Sequence, residues 1–396
     1  MKNFLVAFDK CKGSLSATEL CNLSEKILSK RFKGSKITKI PLTDGGEGFS
    51  QILTESVTGN LLEYDVKDSL GGERNITLGV CEIQDLNLQV ARLLKLPEKG
   101  KLAIVEMAQA AGLADLTECQ RNPWQTSTFG VGQMLRQAAL LEVDAILLGI
   151  GGSSTNDAGL GAMAALGARF INDQGHTLAF PKPSDWKTVH TVDCSKLMDL
   201  PSLYIACDVD NTLLGKNGAT SQYGPQKGLP VSQISQFEDE MIKILGKLKS
   251  CFPQAMEKSR NKGSGAAGGL GFGLSLSYDV SLLSGFELVS KWFDIKQNIQ
   301  NADFVITGEG RFDMTSLNGK GPFEILRLAS ENRVPSLVMA GSVERESIKH
   351  VLQNLCGCDI IPFGREDWSL DKNLSLAEEC FSKSLSKYNF QSPKFA

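Results

Sequence analysis

"VDAILLGIGGSSTNDAGLGAMAALGARF", residues 143–170, runs from an apolar, β-compatible segment through a glycine-rich turn into an alanine-rich helical segment. Its centre, residues 149–161, holds five glycines, two serines, a threonine, an asparagine and a single carboxylate. So little side chain means that something approaches the backbone closely. A strand that turns through glycines into a helix is the repeating unit of an α/β protein. The turn offers backbone N–H groups at a helix N-terminus carrying partial positive charge, which suits an anion and above all a phosphate. Gly151, Gly152, Ser153, Asn156 and Asp157 are therefore candidate phosphate-binding residues, with Ser154 and Thr155 as further hydroxyl donors. A tight turn against a closely packed helix is the competing reading, since small residues permit that as well.

The same strand-then-helix alternation extends outward in both directions. "NFLVAF" reads as a strand and is followed by "SATELCNLSEKILSKRF", a helical pattern opened by a Ser16/Glu19 capping box. "KITKIPL" and "GEGFSQILTESV" repeat the pair, and "LLEYDVK" leads to a Gly-Gly turn at 71–72. Near the other end, "ADFVITGEG", "VPSLVMAGS" and "CDIIPFG" read as strands with helical material between them. Such repeats build parallel sheets covered by helices. The expected fold is α/β. Residues 1–68 and 290–396 form one discontinuous domain with a Rossmann/flavodoxin-like parallel sheet, and residues 69–289 form a second α/β domain inserted in it. Two sequential domains are the alternative.

The 396 residues suit two domains, and 42% hydrophobic content is enough for ordinary cores. Charged residues at 22% and a net charge of −3 provide no basic surface for nucleic acid or membrane. No run approaches the ~18 apolar residues of a membrane span. The apolar run before Asp9 is too short for a signal peptide. The ten cysteines are scattered without a C-x-x-C pair, and only three histidines occur. The cysteines read as reduced thiols of a cytoplasmic protein. Nothing in the sequence specifies a subunit number.

Four further stretches could carry chemistry. In "DKCKGSLSA", residues 9–17, Asp9 lies at a strand end, with Lys12 and Ser14 before a capped helix. Strand ends line the ligand crevice of open α/β sheets, so Lys12 could hold a carboxylate or phosphate; a solvated lysine is the alternative. In "TDGGEG", residues 43–48, Asp44 is either a site carboxylate or a helix cap. "ITGEGRFDMTSLNGKGP", residues 306–322, gathers Glu309, Arg311, Asp313 and Lys320 in one βα loop, where ~2–6 residues would suffice as a connector. "ACDVDNTLLG" and "YGPQKG", residues 206–215 and 223–228, provide Asp208 and Lys227, and Asp208 could bind Mg²⁺ or act as a base. "GSGAAGGLG", residues 263–271, fits either a second close approach to a ligand or a close helix contact.

"GIGGSS" begins like a dinucleotide G-x-G-x-x-G with Asp173 about twenty residues on, but Ser154 takes the place of the third glycine. Carboxylates, lysines and phosphate-type loops, without a usable histidine or cysteine pair, point to phosphoryl transfer, which needs positioning and electrostatics more than covalent participation. From the residues alone this is an Mg²⁺-dependent small-molecule kinase or a related phosphate enzyme.

Taken together and in order, these stretches resemble the bacterial glycerate kinase family of the glycerate and glucarate breakdown type. "DKCKGSLSA" is similar to its D-x-x-K-x-S-L-S-A, "TDGGEG" to A-D-G-G-E-G, and "GIGGSSTNDAG" to G-I-G-G-S-A-T-N-D-G-G. "ACDVDNTLLG" and "YGPQKG" are similar to A-C-D-V-x-N-P-L-x-G and F-G-P-Q-K-G, and "GAAGGLG" and "TGEGRFDMTSLNGKGP" complete the series. Thr212, Tyr223 and Thr315 depart from the family's proline, phenylalanine and glutamine. The resemblance implies ATP and Mg²⁺ as cofactors and D-glycerate as substrate, with 2-phospho-D-glycerate the favoured product. It also implies two α/β domains with the active site in the cleft between them. Roles within the motifs rest on chemistry. Asp208 is expected to hold Mg²⁺, and Asp44 or Asp313 to be the base. Lys12, Lys227 and Lys320 offset the charge of two anionic substrates, and Asp9, Ser14 and Glu309 contribute to binding. A nicotinamide-dependent oxidoreductase of a small hydroxy acid and a non-catalytic organic-acid binding protein are the competing functions.

Overall fold

The structure, a computed structural model, describes residues 2–317, 321–344, 348, 355 and 357–390. The chain divides into two compact units, one made of Met1–Asp44 with Phe286–Ala396 and the other of Gly45–Gly285. It begins in the first unit with β1 (Asn3–Phe8) and β2 (Lys36–Lys39). The second unit contributes β3 (Asn60–Lys67), β4 (Glu73–Glu82), β5 (Lys101–Glu106), β6 (Ala145–Gly149), β7 (Arg169–Asn172), β8 (Val189–Asp193), β9 (Ser202–Ala206) and β10 (Val280–Leu283). The first unit resumes with β11 (Phe304–Gly308), β12 (Arg311–Phe312), β13 (Ser336–Ala340), β14 (Ser342–Val343) and β15 (Cys358–Pro362).

The first unit is built on a five-stranded sheet in the order β15-β13-β11-β1-β2, with every neighbouring pair parallel. Side chains alternate across a strand, and β1 buries both sets. Phe4, Val6 and Phe8 enter one core with Leu20, Leu28, Phe381 and Leu385, which come from the helices Ala17–Arg31 and Ala377–Lys387. Leu5 and Ala7 enter another with Ile295, Ile299, Ile325 and Ala329, from the helices Ile295–Gln300 and Gly321–Glu331. A parallel sheet covered on both faces requires such continuous apolar runs. The Ser16/Glu19 capping box forms as expected, with Ser16 N donating to Glu19 Oε2 at 2.8 Å and Glu19 N donating to Ser16 Oγ at 3.2 Å. Because the strands share one direction, the loops leaving them open along one edge of the sheet.

The second unit holds a six-stranded sheet in the order β10-β9-β6-β5-β4-β3. β10, β9, β6 and β5 are parallel, and β4 and β3 add an antiparallel edge. β7 and β8 form a separate antiparallel pair. Residues 45–68, expected in the first domain, belong to this unit. β3 pairs with β4 along its whole length, from Asn60 opposite Val80 to Lys67 opposite Glu73. The helix Phe49–Ser56 lies so close to β4 that a Cβ at Gly79 would come within 1.8 Å of Thr54 Oγ1. The second boundary falls between Gly285 and Phe286 rather than at 290. Among the described residues, no helix is long and apolar enough to cross a membrane.

Candidate active site

A cavity of 680 Å³ opens at the strand-end edge of the first unit. Asp9 follows β1, Asp44 lies beyond β2 and Glu309 follows β11; Lys12, Ser14 and Asp313 line the cavity with them. Lys320, expected in this group, lies outside the described residues.

Asp9 is tied to Lys10, which the sequence reading passed over. Lys10 N donates to Asp9 Oδ1 at 2.7 Å, and Lys10 Nζ stands 3.6 Å from that oxygen and 3.4 Å from Asp44 Oδ1. Burial pushes the Asp9 carboxyl above the usual carboxylate range; the Lys10 ammonium pulls it back and the Asp44 carboxylate pushes it further up. Asp44 is more open, with its side chain 53% exposed. The helix that follows it begins at Phe49. The amides of Gly48 and Ser50 there donate to the Glu106 carboxylate, both at 3.1 Å. Glu106, buried at the end of β5, gave no sequence signal, because its partners lie more than fifty residues away.

Asp313 is held on both oxygens. Thr315 N and Thr315 Oγ1 donate to its Oδ1 at 2.8 and 2.7 Å, and Arg311 Nε lies 3.0 Å from its Oδ2. The departure to threonine at 315 thus puts a short hydroxyl directly on this carboxylate. Ser14 Oγ donates to Cys11 O at 3.2 Å, within a turn that Gly13 completes at a φ of +77°.

The other expected residues lie in the second unit. Its glycine-rich loop is largely satisfied from within. Gly151 N donates to Gly45 O at 3.0 Å, Ser154 N to Ala111 O at 2.8 Å, Ala158 N to Gly268 O at 2.9 Å and Gly159 N to Asp157 Oδ1 at 3.0 Å. A Cβ at Gly151 would come within 2.7 Å of Gly46 N. The helix after the loop starts only at Leu160 and ends at Ala165, so its N-terminus is not at Gly151 and Gly152. What approaches this backbone is more backbone. "GAAGGLG" closes the other side, where a Cβ at Gly268 would meet Thr155 O at 2.1 Å. That identifies residues 263–271 as a close packing contact.

Asp157, expected to face a ligand, is fully buried. Its Oδ2 accepts from Thr128 N, Thr128 Oγ1 and Gly161 N at 2.8, 2.8 and 3.1 Å. Burial pushes its carboxyl up against the pull of these donors. It staples the loop to its neighbours. Asn156 is also buried and donates to Thr220 Oγ1 at 3.0 Å. Lys227 is 2% exposed and reaches the loop from inside, donating to Ser153 Oγ at 2.9 Å and to Thr155 O at 2.6 Å. Burial drives its ammonium down to about 7, opposed by the Asp157 carboxylate.

Asp208 follows β9 and is exposed; its Oδ1 accepts from Gly285 N at 2.8 Å and Ser284 Oγ at 2.9 Å, both just past β10. Among the described residues no three His, Cys, Asp or Glu side chains gather as a metal cage. Mg²⁺ that travels with phosphates is commonly held by one or two carboxylates plus phosphate oxygens and water, and an exposed, oriented Asp208 fits that donor set. Asp173 follows β7, which pairs with β8 and not beside β6, so it lacks the adjacent-strand position that a dinucleotide ribose contact requires.

The family model described as "Glycerate kinase family" matches residues 4–385. A glycerate kinase of Bacillus subtilis (strain 168) is 34% identical over 352 residues, 87% of this chain and 86% of that protein. A glycerate 2-kinase of Escherichia coli (strain K12) is 32% identical over 343 residues, 86% of this chain and 85% of that protein. Among solved structures, a crystal structure from Salmonella typhimurium LT2 described as a glycerate kinase 2 matches with a TM-score of 0.73 and 30% identity, covering 98% of this chain and 96% of that one.

Proposed function

The chain belongs to the glycerate kinase family and is an enzyme, and from that premise we propose that it transfers the terminal phosphoryl group of ATP to the 2-hydroxyl of D-glycerate. The observation that carries this reading is the strand-end cavity of the first unit, where the Asp9, Asp44, Glu309 and Asp313 carboxylates meet Lys10 and Lys12. Phosphoryl transfer asks for this mixture: cations against the phosphate and substrate carboxylate, and a carboxylate to take the hydroxyl proton.

Asp44 is the proposed base. Its side chain is open, and the Lys10 ammonium 3.4 Å away offsets the repulsion between it and anionic substrates. Asp313 is less available to a substrate hydroxyl, because Arg311 and two donors from Thr315 already engage both of its oxygens. Its proposed part is to fix Arg311 and the loop. Lys12 and Lys10 orient the phosphate and the substrate carboxylate. Within the second unit Asp208 is the residue proposed to hold Mg²⁺, which would supply positive charge to phosphate oxygens. The choice of the 2-hydroxyl follows the resemblance and the name of the Escherichia coli relative. The nine described cysteines are free thiols, which fits the reducing cytoplasm proposed for this reaction.

A coupled ADP-release assay with D-glycerate, L-glycerate and a set of sugars, with and without Mg²⁺, tests the reading, and phosphorus NMR of the product identifies the hydroxyl. ADP release should require both D-glycerate and Mg²⁺. Asp44→Asn should lower kcat by about 10²–10⁴-fold at an unchanged melting temperature. Background release with glycerate and turnover of a sugar would overturn the substrate, and near-parental turnover of Asp44→Asn would overturn the base.

A further inference from the structure

We infer that Cys194 and Cys251 form a redox-active dithiol in the second unit, one that closes into an intramolecular disulfide when a peroxide reaches it and opens again to a dithiol reductant. Their spacing in the sequence gives no sign of this, because the two meet only where a helix packs on a strand. Cys194 is the residue after β8, and Cys251 lies in the turn beyond the helix Ile234–Lys247. Lys247, at the end of that helix, ties the two elements together by donating to Trp186 O at 3.2 Å and to Val189 O. Cys251 Sγ then reaches the strand itself, donating at 3.2 Å to the carbonyl of Val192, two residues before Cys194. Both cysteines pack on the core that holds Val189, Val192, Leu245 and Leu248. Both are half-buried, and both line one cavity of 860 Å³ with Met198, Phe252 and Tyr278, through which a small oxidant reaches them.

Each cysteine sits on backbone that is already fixed. Ser195 N donates to Asp193 Oδ1 at 2.8 Å and Leu197 N to Cys194 O at 3.2 Å. Cys251 N donates to Leu248 O at 3.0 Å. Side-chain rotation therefore has to bring the sulfurs to the ~2.0 Å of a disulfide without remodelling the chain. Burial, a hydrogen bond with the Cys251 sulfur and the nearby Asp193 carboxylate all push the Cys194 thiol up. A protonated thiol is a weak nucleophile, so the pair rests in the dithiol form until oxidant accumulates. The chemistry then takes two steps. One sulfur attacks a peroxide oxygen and the O–O bond breaks, leaving a sulfenic acid and one water. The other sulfur displaces the sulfenic hydroxyl, the S–S bond forms and a second water leaves. Both thiol protons end in water, and the two electrons lost by sulfur reduce the hydrogen peroxide. The bond closes the chain from 194 to 251, a long loop whose restriction in the unfolded state stabilises the folded one.

The test uses the full chain, freed of reductant and treated with hydrogen peroxide. Remaining thiols are alkylated, and the unreduced peptides are read by mass spectrometry. A peptide carrying Cys194 joined to one carrying Cys251 is expected, and dithiothreitol should separate them. The melting temperature should rise by about 3 °C or more on oxidation and return on reduction. Cys194→Ser and Cys251→Ser should each lose the linked peptides and the rise. Phenylarsine oxide reads the same proximity in the parent without an oxidant, since its arsenic takes two sulfurs and releases one water. It should bridge the same two peptides. Peroxide that leaves both cysteines open to alkylation, links either to a different cysteine or carries them to sulfinic acids without the linked pair would overturn the dithiol. So would a parent in which arsenic does not bridge the pair. A linked pair whose melting temperature stays or falls would mean that the bond does not fit the native packing, and would overturn it as well.

Discussion

Lys227 shows how a residue can be marked by sequence and still have its role decided by burial. "YGPQKG" drew attention to it as a phosphate holder, yet its ammonium is enclosed and holds Ser153 Oγ and Thr155 O. A buried lysine without a paired carboxylate at contact distance is rare, so sequence alone gives no reason to expect it. Its titration has a definite sign. Burial lowers it from the ordinary 10.5 to about 7, so between those values the unfolded chain binds the extra proton and the folded chain does not. Stability from this group therefore rises with pH across that window, is lowest below about 7, and levels off above about 10.5. In Lys227→Met the rise is gone. The melting temperature of the parent minus that of the variant should widen steadily from pH 7 to pH 9.5, read by differential scanning fluorimetry; a constant difference would mean that Lys227 does not titrate there. The charged groups at the strand ends were legible for the opposite reason. Asp9, Lys12, Asp44, Glu309 and Asp313 each follow or adjoin a run that reads as a strand, and a parallel sheet brings such positions to one edge. Lys10, one residue from Asp9, was missed because a lysine in a loop ordinarily points to solvent.

At the scale of elements, the strands of the parallel sheets were legible because their apolar runs are continuous, and the glycine loops were not. A glycine chosen for a phosphate and a glycine chosen for a neighbouring chain look the same. The distinction rests on what lies opposite, and here that is more than a hundred residues away in sequence: Gly268 against Thr155, and Gly269 against Ala158. The loop 151–159 and the "GAAGGLG" segment pack backbone to backbone, locked by Ala158 N donating to Gly268 O at 2.9 Å. Gly268 also has a φ of +68°, where a side chain is strained even with space around it. Gly268→Ala meets both penalties, since its Cβ would sit 2.1 Å from a backbone carbonyl oxygen that no rotamer change can move. The expected loss is about 1–3 kcal/mol or more, a fall in melting temperature of roughly 5 °C or greater. Gly175→Ala, with nothing within 4 Å of its Cβ at a φ of +82°, isolates the backbone strain and should cost less. Equal losses in the two variants would mean that the close packing contributes nothing.

At the scale of the whole chain, each described hydrophobic core draws its residues from one unit only, the second unit's cores running from Val66 to Leu276 and the first unit's combining residues near both ends of the sequence. That organisation was legible in outline from the matching βα patterns at the two ends. The boundary at 68 was misplaced because "LLEYDVK" reads as one more strand in an alternating series, and nothing local says that it turns back on β4. The physical cost of the wrong boundary can be stated. A fragment of residues 69–289 lacks β3, which leaves all of β4 from Glu73 to Val80 as an unpaired edge. It also lacks the helix Phe49–Ser56, whose Phe49 and Leu53 are completely buried. An unpaired edge over an uncovered apolar face favours association between chains. A fragment of residues 45–285 retains both elements and all of the cores that belong to that unit. We therefore expect residues 45–285, expressed alone, to be monodisperse, to give a near-ultraviolet circular dichroism spectrum with fixed aromatic signals, and to unfold in one cooperative step. Residues 69–289 should aggregate or lack that transition. Neither fragment should release ADP, since the strand-end cavity belongs to the other unit. Equal behaviour of the two fragments would place the boundary back at 68, and a cooperative transition in the longer one alone would fix it at Asp44.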